Sequence, residues 1–598
     1  AEVPAAAPAP AAEEPVQLSI FQVTGDRDVG YRSTQTVSGS RTIAELRDTP
    51  SSISVLNREF LDDLIATKIS DALYFSVAGE IDTNTETHNE NFVFRGITAT
   101  FRLRNGVTWS GGTSDSYNIE RVELLRGPHA FLYGEGSAGG VANQITKQAT
   151  YRDFERVNLI TGSHSLYRAE VDVNRKLTSR LALRAALVAS TEKGFQNHVR
   201  SDVEGLYLAA NARPFRGTNI NASFEYRNID GVMGSIMLAD GFSTTDRTGA
   251  TTALTATTGG RTYIPALGLS YDSTGRRRST GTAILLSDPG ILPKEFNLLG
   301  PGALRTSLER SFSFELDQKV TEAFNVQASV SVFDVVKEYA QRVGNSSTAV
   351  YRDTNATLPS GAPNPYFNEL YTEYYFRRND HSQPINAARV TAVYELKNRF
   401  TTQKIVGSGI YFDATPEDIK YSEFVDPASG HFKGAFNPAN TAAATSANVT
   451  VLNQNFFQRR FYLKDGDDAR LTAPGPIPGQ SILLRDQAAE GTAGRLSNRL
   501  YRVPAYGAGA DGSYFGGRLR SLVGWRRSFF LQDPSRDFFN PGTGQLYKLD
   551  TPLSYVRTRL REDCFNYGAV VHFSRQVGAY YNFAESAALS AGVGGAQL

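Results

Sequence analysis

One cysteine in 598 residues, Cys564, excludes a disulfide framework and a cysteine-based zinc site within the chain. It sits in the strand-like run CFNYGAVVHF and reads as a packed thiol, because a reactive one needs an electropositive, exposed setting. An excess of charge of one sign is missing too. Lys and Arg total 62 against 61 Asp and Glu, a formal net charge of +1, so nothing draws the chain toward nucleic acid or marks an acidic tail. The seven histidines (His88, His129, His164, His198, His381, His431 and His572) form no pair at metal-ligand spacing. No metal or cofactor is expected. No G-x-S-x-G lies on a strand–turn–helix, and no other catalytic constellation appears, so the chain is not expected to be an enzyme. Apolar runs of roughly 18 or more residues are absent, which argues against a membrane helix. A barrel stays open, because its strands alternate lipid-facing and lumen-facing residues and never form a long apolar run.

What the chain does have is aromatic β-formers: 28 Tyr and 35 Phe beside two Trp and two Met. Residues 1–39 begin AEVPAAAPAPAAEEP, with no basic or apolar signal region, and read as a mature end with any export signal removed. The Ala/Pro content predicts an extended, disordered arm. Residues 40–150 read as a small α+β domain. Ser52–Leu56 forms a strand, and Asn57 caps a short helix with Phe60, Leu61 and Leu64 on one side. FVFRG gives another strand, and FRLRNGVTW a hairpin turned by Asn105-Gly106.

From about residue 155 the period becomes two. Tyr167, Ala169, Val171 and Val173 share one face, and Arg168, Glu170, Asp172 and Asn174 the other. Ile220, Ala222, Phe224 and Tyr226 oppose Asn221, Ser223, Glu225 and Arg227. A soluble sandwich would alternate in the same way. The connections decide between them. Strands are expected near 156–162, 167–176, 180–190, 203–213, 218–229, 308–320, 323–337, 387–397, 401–413, 501–511, 516–528, 560–574 and 577–585. Short turns alternate with long, structureless loops over 230–307, 338–386, 414–500 and 529–559, which is the layout of outer-membrane barrels. The fold class is mainly β: a transmembrane antiparallel barrel spanning residues 151–598, preceded by the α+β domain.

Gly134-x-Gly136-x-x-Gly139 has the spacing of a dinucleotide finger, but the segment after Gly140, VANQITK, alternates as a strand where the finger requires a helix. The glycines therefore serve tight turns and close backbone approach. The whole stretch IERVELLRGPHAFLYGEGSAGGVANQITKQA resembles the end of the plug domain of TonB-dependent outer-membrane receptors, through Arg126-Gly127-Pro128, Tyr133-Gly134, Gly139-Gly140, Asn143 and Thr146-Lys147. TPSSISVLNREFLDDL and FVFRGI are similar to earlier plug segments.

The resemblance implies a plug inside a 22-stranded barrel, of which this chain would hold about 13 strands and stop part-way round. It implies import of a large scarce solute across the outer membrane of a Gram-negative bacterium, powered by the inner-membrane TonB complex. A monomer in outer-membrane lipid is expected, with no nucleic acid. The TonB box would be Leu18, Ser19, Ile20, Phe21, Gln22, Val23 and Thr24, an extended segment able to add to a partner's sheet edge. Arg95 and Arg126 would lock the plug to the barrel, with Glu585 as a wall partner, although parity puts Glu585 on the face of Tyr581 and Phe583. Tyr371, Tyr374, Tyr375, Arg377 and Arg378, read as loop residues, could stack on and pair with a ferric siderophore. The same residues could grip sugar rings or form a membrane girdle. Similarity to the siderophore branch puts that ligand ahead of an oligosaccharide or cobalamin. A passive porin and a secreted polysaccharide enzyme are the readings from other classes; the plug argues against the first and the missing carboxylate pair against the second. The reading frame past Leu598 is expected to continue for roughly nine more alternating strands ending on an aromatic residue, which sequencing the gene tests.

Overall fold

The computed structural model describes residues 20–21, 28–75, 79–82, 91–94, 96–99, 102–109, 114–126, 139–234, 251–254, 260, 261–279, 293–297, 299–343, 351–426, 430–431, 457–466, 468, 482–486, 500–533, 537–540, 545–548, 558–574 and 577–585. Near the N-terminus a five-stranded sheet runs in the order Ser52–Asn57, Ile119–Arg126, Gly140–Thr146, Arg102–Arg104, Val107–Trp109. The Asn57 side chain accepts from the Phe60 amide at 3.0 Å and caps helix Arg58–Asp63, as its sequence position suggests. That helix and Ile69–Leu73 pack Leu61, Ile69 and Leu73 against Val122, Leu124 and Ala142 of the sheet.

The rest of the chain is one antiparallel meander: Phe154–Gly162, Leu166–Thr178, Leu181–Lys193, Arg200–Ala212, Thr218–Val232, Leu304–Lys319, Phe324–Val343, Leu370–Lys397, Thr401–Ala414, Ala505–Tyr514, Leu519–Asp533, Thr558–His572 and Gly578–Ala584. Each strand pairs with the next along its length. Every expected wall strand has its counterpart here. Tight connections at 179–180, 213–217, 320–323, 398–400 and 515–518 fall on one rim, together with the bend from Phe573 to Val577; the other rim carries one tight turn, 163–165, and otherwise longer connections.

The sheet is inside-out. Leu159, Leu187, Phe312 and Val390 project outward and are exposed, whereas Arg168, Asp172, Asn174, Arg184, Glu225 and Arg227 of the same wall are buried. Apolar outside and charged inside is the pattern of a wall bathed in lipid. The plug sheet lies against the charged inner face.

Three expectations change. The long connections are not structureless: they carry hairpins such as Arg261–Ile264 with Leu269–Asp272, and Glu417–Val425 with Ile482–Asp486. The wall strands also run further than their apolar alternation shows, because Phe324–Val343 and Leu370–Lys397 stay paired up to Val343 and Tyr375, beyond the stretch that needs an apolar face. The extended arm is corrected for residues 28–39. Gln35–Thr36 pairs with Ala44–Glu45, and Thr36 and Ser38 are buried against the plug, because their hydroxyl and amide groups find a buried carboxylate, that of Glu123.

If the outward face meets lipid, Leu187→Arg in the middle of its strand should destabilise the folded protein by about 2–4 kcal/mol in urea titrations from vesicles. An unchanged midpoint would contradict that orientation.

Candidate functional site

The plug reaches the wall through the hairpin Arg102–Arg104/Val107–Trp109. Asn105 and Gly106 have φ of 51° and 73°, both left-handed, as a two-residue type I′ turn requires. The guanidinium carbons of Arg102 and Arg104 lie 4.6 and 4.7 Å from the Trp109 ring centroid. Trp109 itself inserts among Phe333, Ile385, Phe412 and Phe530 of the wall.

Beside this apolar anchor lies an ionic network. Arg104 pairs with Glu225 of the wall, and the Tyr117 hydroxyl donates to the same carboxylate at 3.3 Å. Asp115 accepts from Arg168 at 2.6 and 3.0 Å. Arg227 pairs with Glu309. Lys147 reaches Asp172 at 2.8 Å, and Arg184 grips the same carboxylate at 2.7 and 2.8 Å. All nine charged groups are buried. Burial alone would push the Asp115 carboxyl up; the charge and hydrogen bonds of Arg168 more than offset it and hold Asp115 below the usual carboxylate range. Asp115 therefore keeps its charge for Arg168 at neutral pH. Gly205 makes room for it, since a Cβ there would come within 2.9 Å of the Tyr117 ring.

Asn143 links three parts of the plug. Its Oδ1 accepts from the Gly106 amide at 2.9 Å, and its Nδ2 donates to the Ser38 hydroxyl at 2.9 Å. Glu123 accepts from the Thr36 hydroxyl at 2.6 Å and the Ser38 amide at 3.1 Å. Arg41 and Arg389 both donate to the Gly106 carbonyl, at 3.0 and 3.1 Å. The chain before the plug is thus tied to the hairpin that touches Glu225. Further toward the N-terminus the Ile20 carbonyl accepts from the Ile43 amide at 2.8 Å, and Phe21 packs on Val393 and Val406 of the wall. Leu18, Ser19, Gln22, Val23 and Thr24 lie outside the described residues.

Gly139 and Gly140 sit where backbones nearly touch: a Cβ would fall 2.3 Å from the Phe94 carbonyl oxygen and 2.4 Å from that of Leu125. Gly140 also has φ of 148°. Arg95, Gly127, Pro128, Tyr133 and Gly134 lie outside the described residues. Arg126 donates to Ser54 at 2.8 Å and Ser52 at 3.4 Å. Among the described residues Glu585 pairs with no plug side chain: it accepts from the Phe565 amide at 2.8 Å, just past the strand that carries Tyr581 and Phe583. Parity is the reason. Glu225 lies on the inward face, and the alternation of NINASFEYR, which separates Glu225 from Phe224 and Tyr226, already marked it. Asp115 and Tyr117, in a polar turn with no period, carried no such signal.

The expected ligand residues belong to strand Leu370–Lys397, not to a loop. Tyr371 and Tyr374 are 0 and 3 % exposed and offer no ring face to a solute. Arg460 stacks 3.9 Å from the Tyr371 centroid and bonds Glu373 at 2.6 Å and Asp353 at 3.0 Å, while Tyr366 stacks on Tyr462 at 3.9 Å. These rings are the packing of the long-loop end. Tyr375, Arg377 and Arg378 are half-buried, with Arg378 3.1 Å from Asp380.

Residues 45–141 match the profile of the TonB-dependent Receptor Plug Domain. The chain is 35% identical over 198 residues to the metal-pseudopaline receptor CntO of Pseudomonas aeruginosa, an alignment covering 31% of this chain and 28% of that receptor. Residues 45–141 thus carry the plug domain of the TonB-dependent receptors. The chain is 30% identical over 210 residues to the ferripyoverdine receptor of the same organism, covering 32% of this chain and 25% of that one. Among solved structures its fold is similar to BauA, the ferric preacinetobactin receptor of Acinetobacter baumannii, with a TM-score of 0.62 at 12% identity over 92% of this chain and 66% of that one. The P. aeruginosa ferripyoverdine receptor bound to ferripyoverdine gives 0.59 at 14% identity, over 95 and 60%. The chain thus spans less than two thirds of these relatives' length. In this chain the plug and its charged wall contacts are the site to test.

Glu225→Gln leaves Arg104 without its counter-charge in a closed interface, a loss of about 3–5 kcal/mol. The plug should then become sensitive to protease in detergent while the wall keeps its β signal in circular dichroism. A digestion rate equal to the parent's would remove Glu225 from the anchoring role.

Proposed function

We propose that this receptor imports a ferric siderophore or a similar metal chelate across the outer membrane, driven by TonB. The observation that carries it is a plug of the matched family held against the wall by an ionic network and tied, through Asn143 and Ser38, to the segment that precedes it. The relatives' names support the ligand class, being receptors for metal-pseudopaline and ferripyoverdine. On this reading Leu18–Thr24 is the TonB box, offered as an added strand. A pull on it would first draw Phe21 from Val393 and Val406, then load Thr36 and Ser38, and through Asn143 the hairpin tip at Gly106. Arg104–Glu225 is the next contact to part, and it takes the role of plug–wall lock. Half-buried Tyr375, Arg377 and Arg378 remain the ligand-facing candidates on the Leu370–Lys397 strand. The receptor acts as a transporter and performs no chemistry on its ligand.

Uptake of radio-iron from a panel of ferric siderophores tests this, in receptor-deficient cells expressing the chain with and without TonB. Uptake should require TonB and should vanish on deleting residues 18–24 while surface binding persists. Equal uptake without TonB would make the protein a passive pore. Uptake of cobalamin or an oligosaccharide in place of iron would replace the ligand.

A further inference from the structure

The outward face of the wall holds one feature that transport does not use. A cavity of about 900 Å³ opens between strands Leu370–Lys397, Thr401–Ala414, Leu519–Asp533 and Thr558–His572. Its walls include Val390, Tyr411, Tyr506, Phe529 and Leu531. It forms where pairing is interrupted: Leu500–Arg502 and Ala505–Tyr514 are separate strands, and Pro504 between them has no N–H to give a ladder.

The lip of this apolar groove is basic. Arg559 and Arg561 line it and are exposed. Arg502 and Arg527 lie on the same outward face, paired in register with Asp413 and Asp563. One carboxylate, Asp563, serves both Arg527 at 2.8 Å and Arg561 at 3.5 Å. Arg559 has no ion-pair partner among the described residues, so the described side chains leave four arginines against two aspartates. A net positive patch on a surface that otherwise meets lipid is costly unless an anion covers it.

Depth identifies the anion. Thr558–His572 has 15 residues, more than the roughly 9–11 that cross a bilayer, and its C-terminal end joins the bend from Phe573 to Val577, on the rim of tight connections. Tight turns mark the periplasmic rim. Arg559 and Arg561, at the opposite end of the strand, therefore stand at the outer headgroup level, with the groove running down from them into hydrocarbon. We propose that this groove binds a phosphorylated glycolipid of the outer leaflet, its phosphate on Arg559 and Arg561 and an acyl chain over Val390, Tyr506 and Phe529. This rests on the outer-membrane reading above.

The test uses the full chain in detergent, with bis-phosphorylated lipid A as the probe in native mass spectrometry and titration. Arg559→Ala/Arg561→Ala should weaken binding about tenfold, for the loss of charge-assisted contacts to phosphate. Val390→Trp, which fills the groove, should weaken it as well, and so should removing the lipid's phosphates. Arg310→Ala, which breaks an outward pair with Asp334 elsewhere on the wall, should leave it unchanged. Equal binding by the double variant and the parent, or equal binding of phosphatidylglycerol, would overturn the proposal. If lipid A does not bind while TonB-dependent uptake proceeds, only this inference falls; if lipid A binds and uptake is absent, the transport reading falls and the lipid site stands.

Discussion

A strand that crosses lipid must hide its backbone polar groups in a ladder and turn its apolar side chains outward. That constraint has a second consequence. Every residue of the opposite parity points inward, and in this chain those positions hold Arg168, Asp172, Arg184, Glu225, Arg227 and Glu309. An empty lumen would leave them to water. The plug instead brings Arg104, Asp115, Tyr117 and Lys147 to them, each aimed at a group of complementary charge or hydrogen-bonding type. The plug's position thus follows from the wall's charge pattern, and the wall's charge pattern follows from its apolar exterior.

Much of this was legible in the sequence, because period two is a strong local signal over strands of 13 or more residues. The alternation gave both the strands and the inward parity of Glu225 and Arg227. The type I′ turn at Asn105-Gly106 and the Asn57 cap were legible for a similar reason: each is a local rule with few competing solutions. What could not be read was tertiary. Asp115 and Tyr117 become plug–wall contacts only when the hairpin and the turn before Ile119 meet Arg168 and Glu225. Tyr371 and Tyr374 looked like ligand aromatics because composition cannot separate a ring that faces a solute from one buried beneath Arg460 and Tyr462. Glu585 shares the parity of Tyr581 and Phe583, and among the described residues its carboxylate goes to the Phe565 amide and not to the plug.

The two kinds of plug–wall contact differ in what it takes to part them. Trp109 among Phe333, Ile385, Phe412 and Phe530 is apolar, and separating it exposes area at roughly 25 cal/mol per Å² with nothing to replace the contact. Arg104–Glu225 and Asp115–Arg168 are ionic. Their attraction in the closed interface is largely balanced by desolvation, so water entering as they separate returns much of what is lost. A plug meant to stay fixed for good would gain more from an apolar seam. One meant to shift under a small load would be expected to confine the apolar contact to a limited patch and line the remaining boundary with charges, as here. On the transport reading, Trp109 is then the natural pivot, and the ionic boundary from Lys147 to Glu225 is the surface that slides.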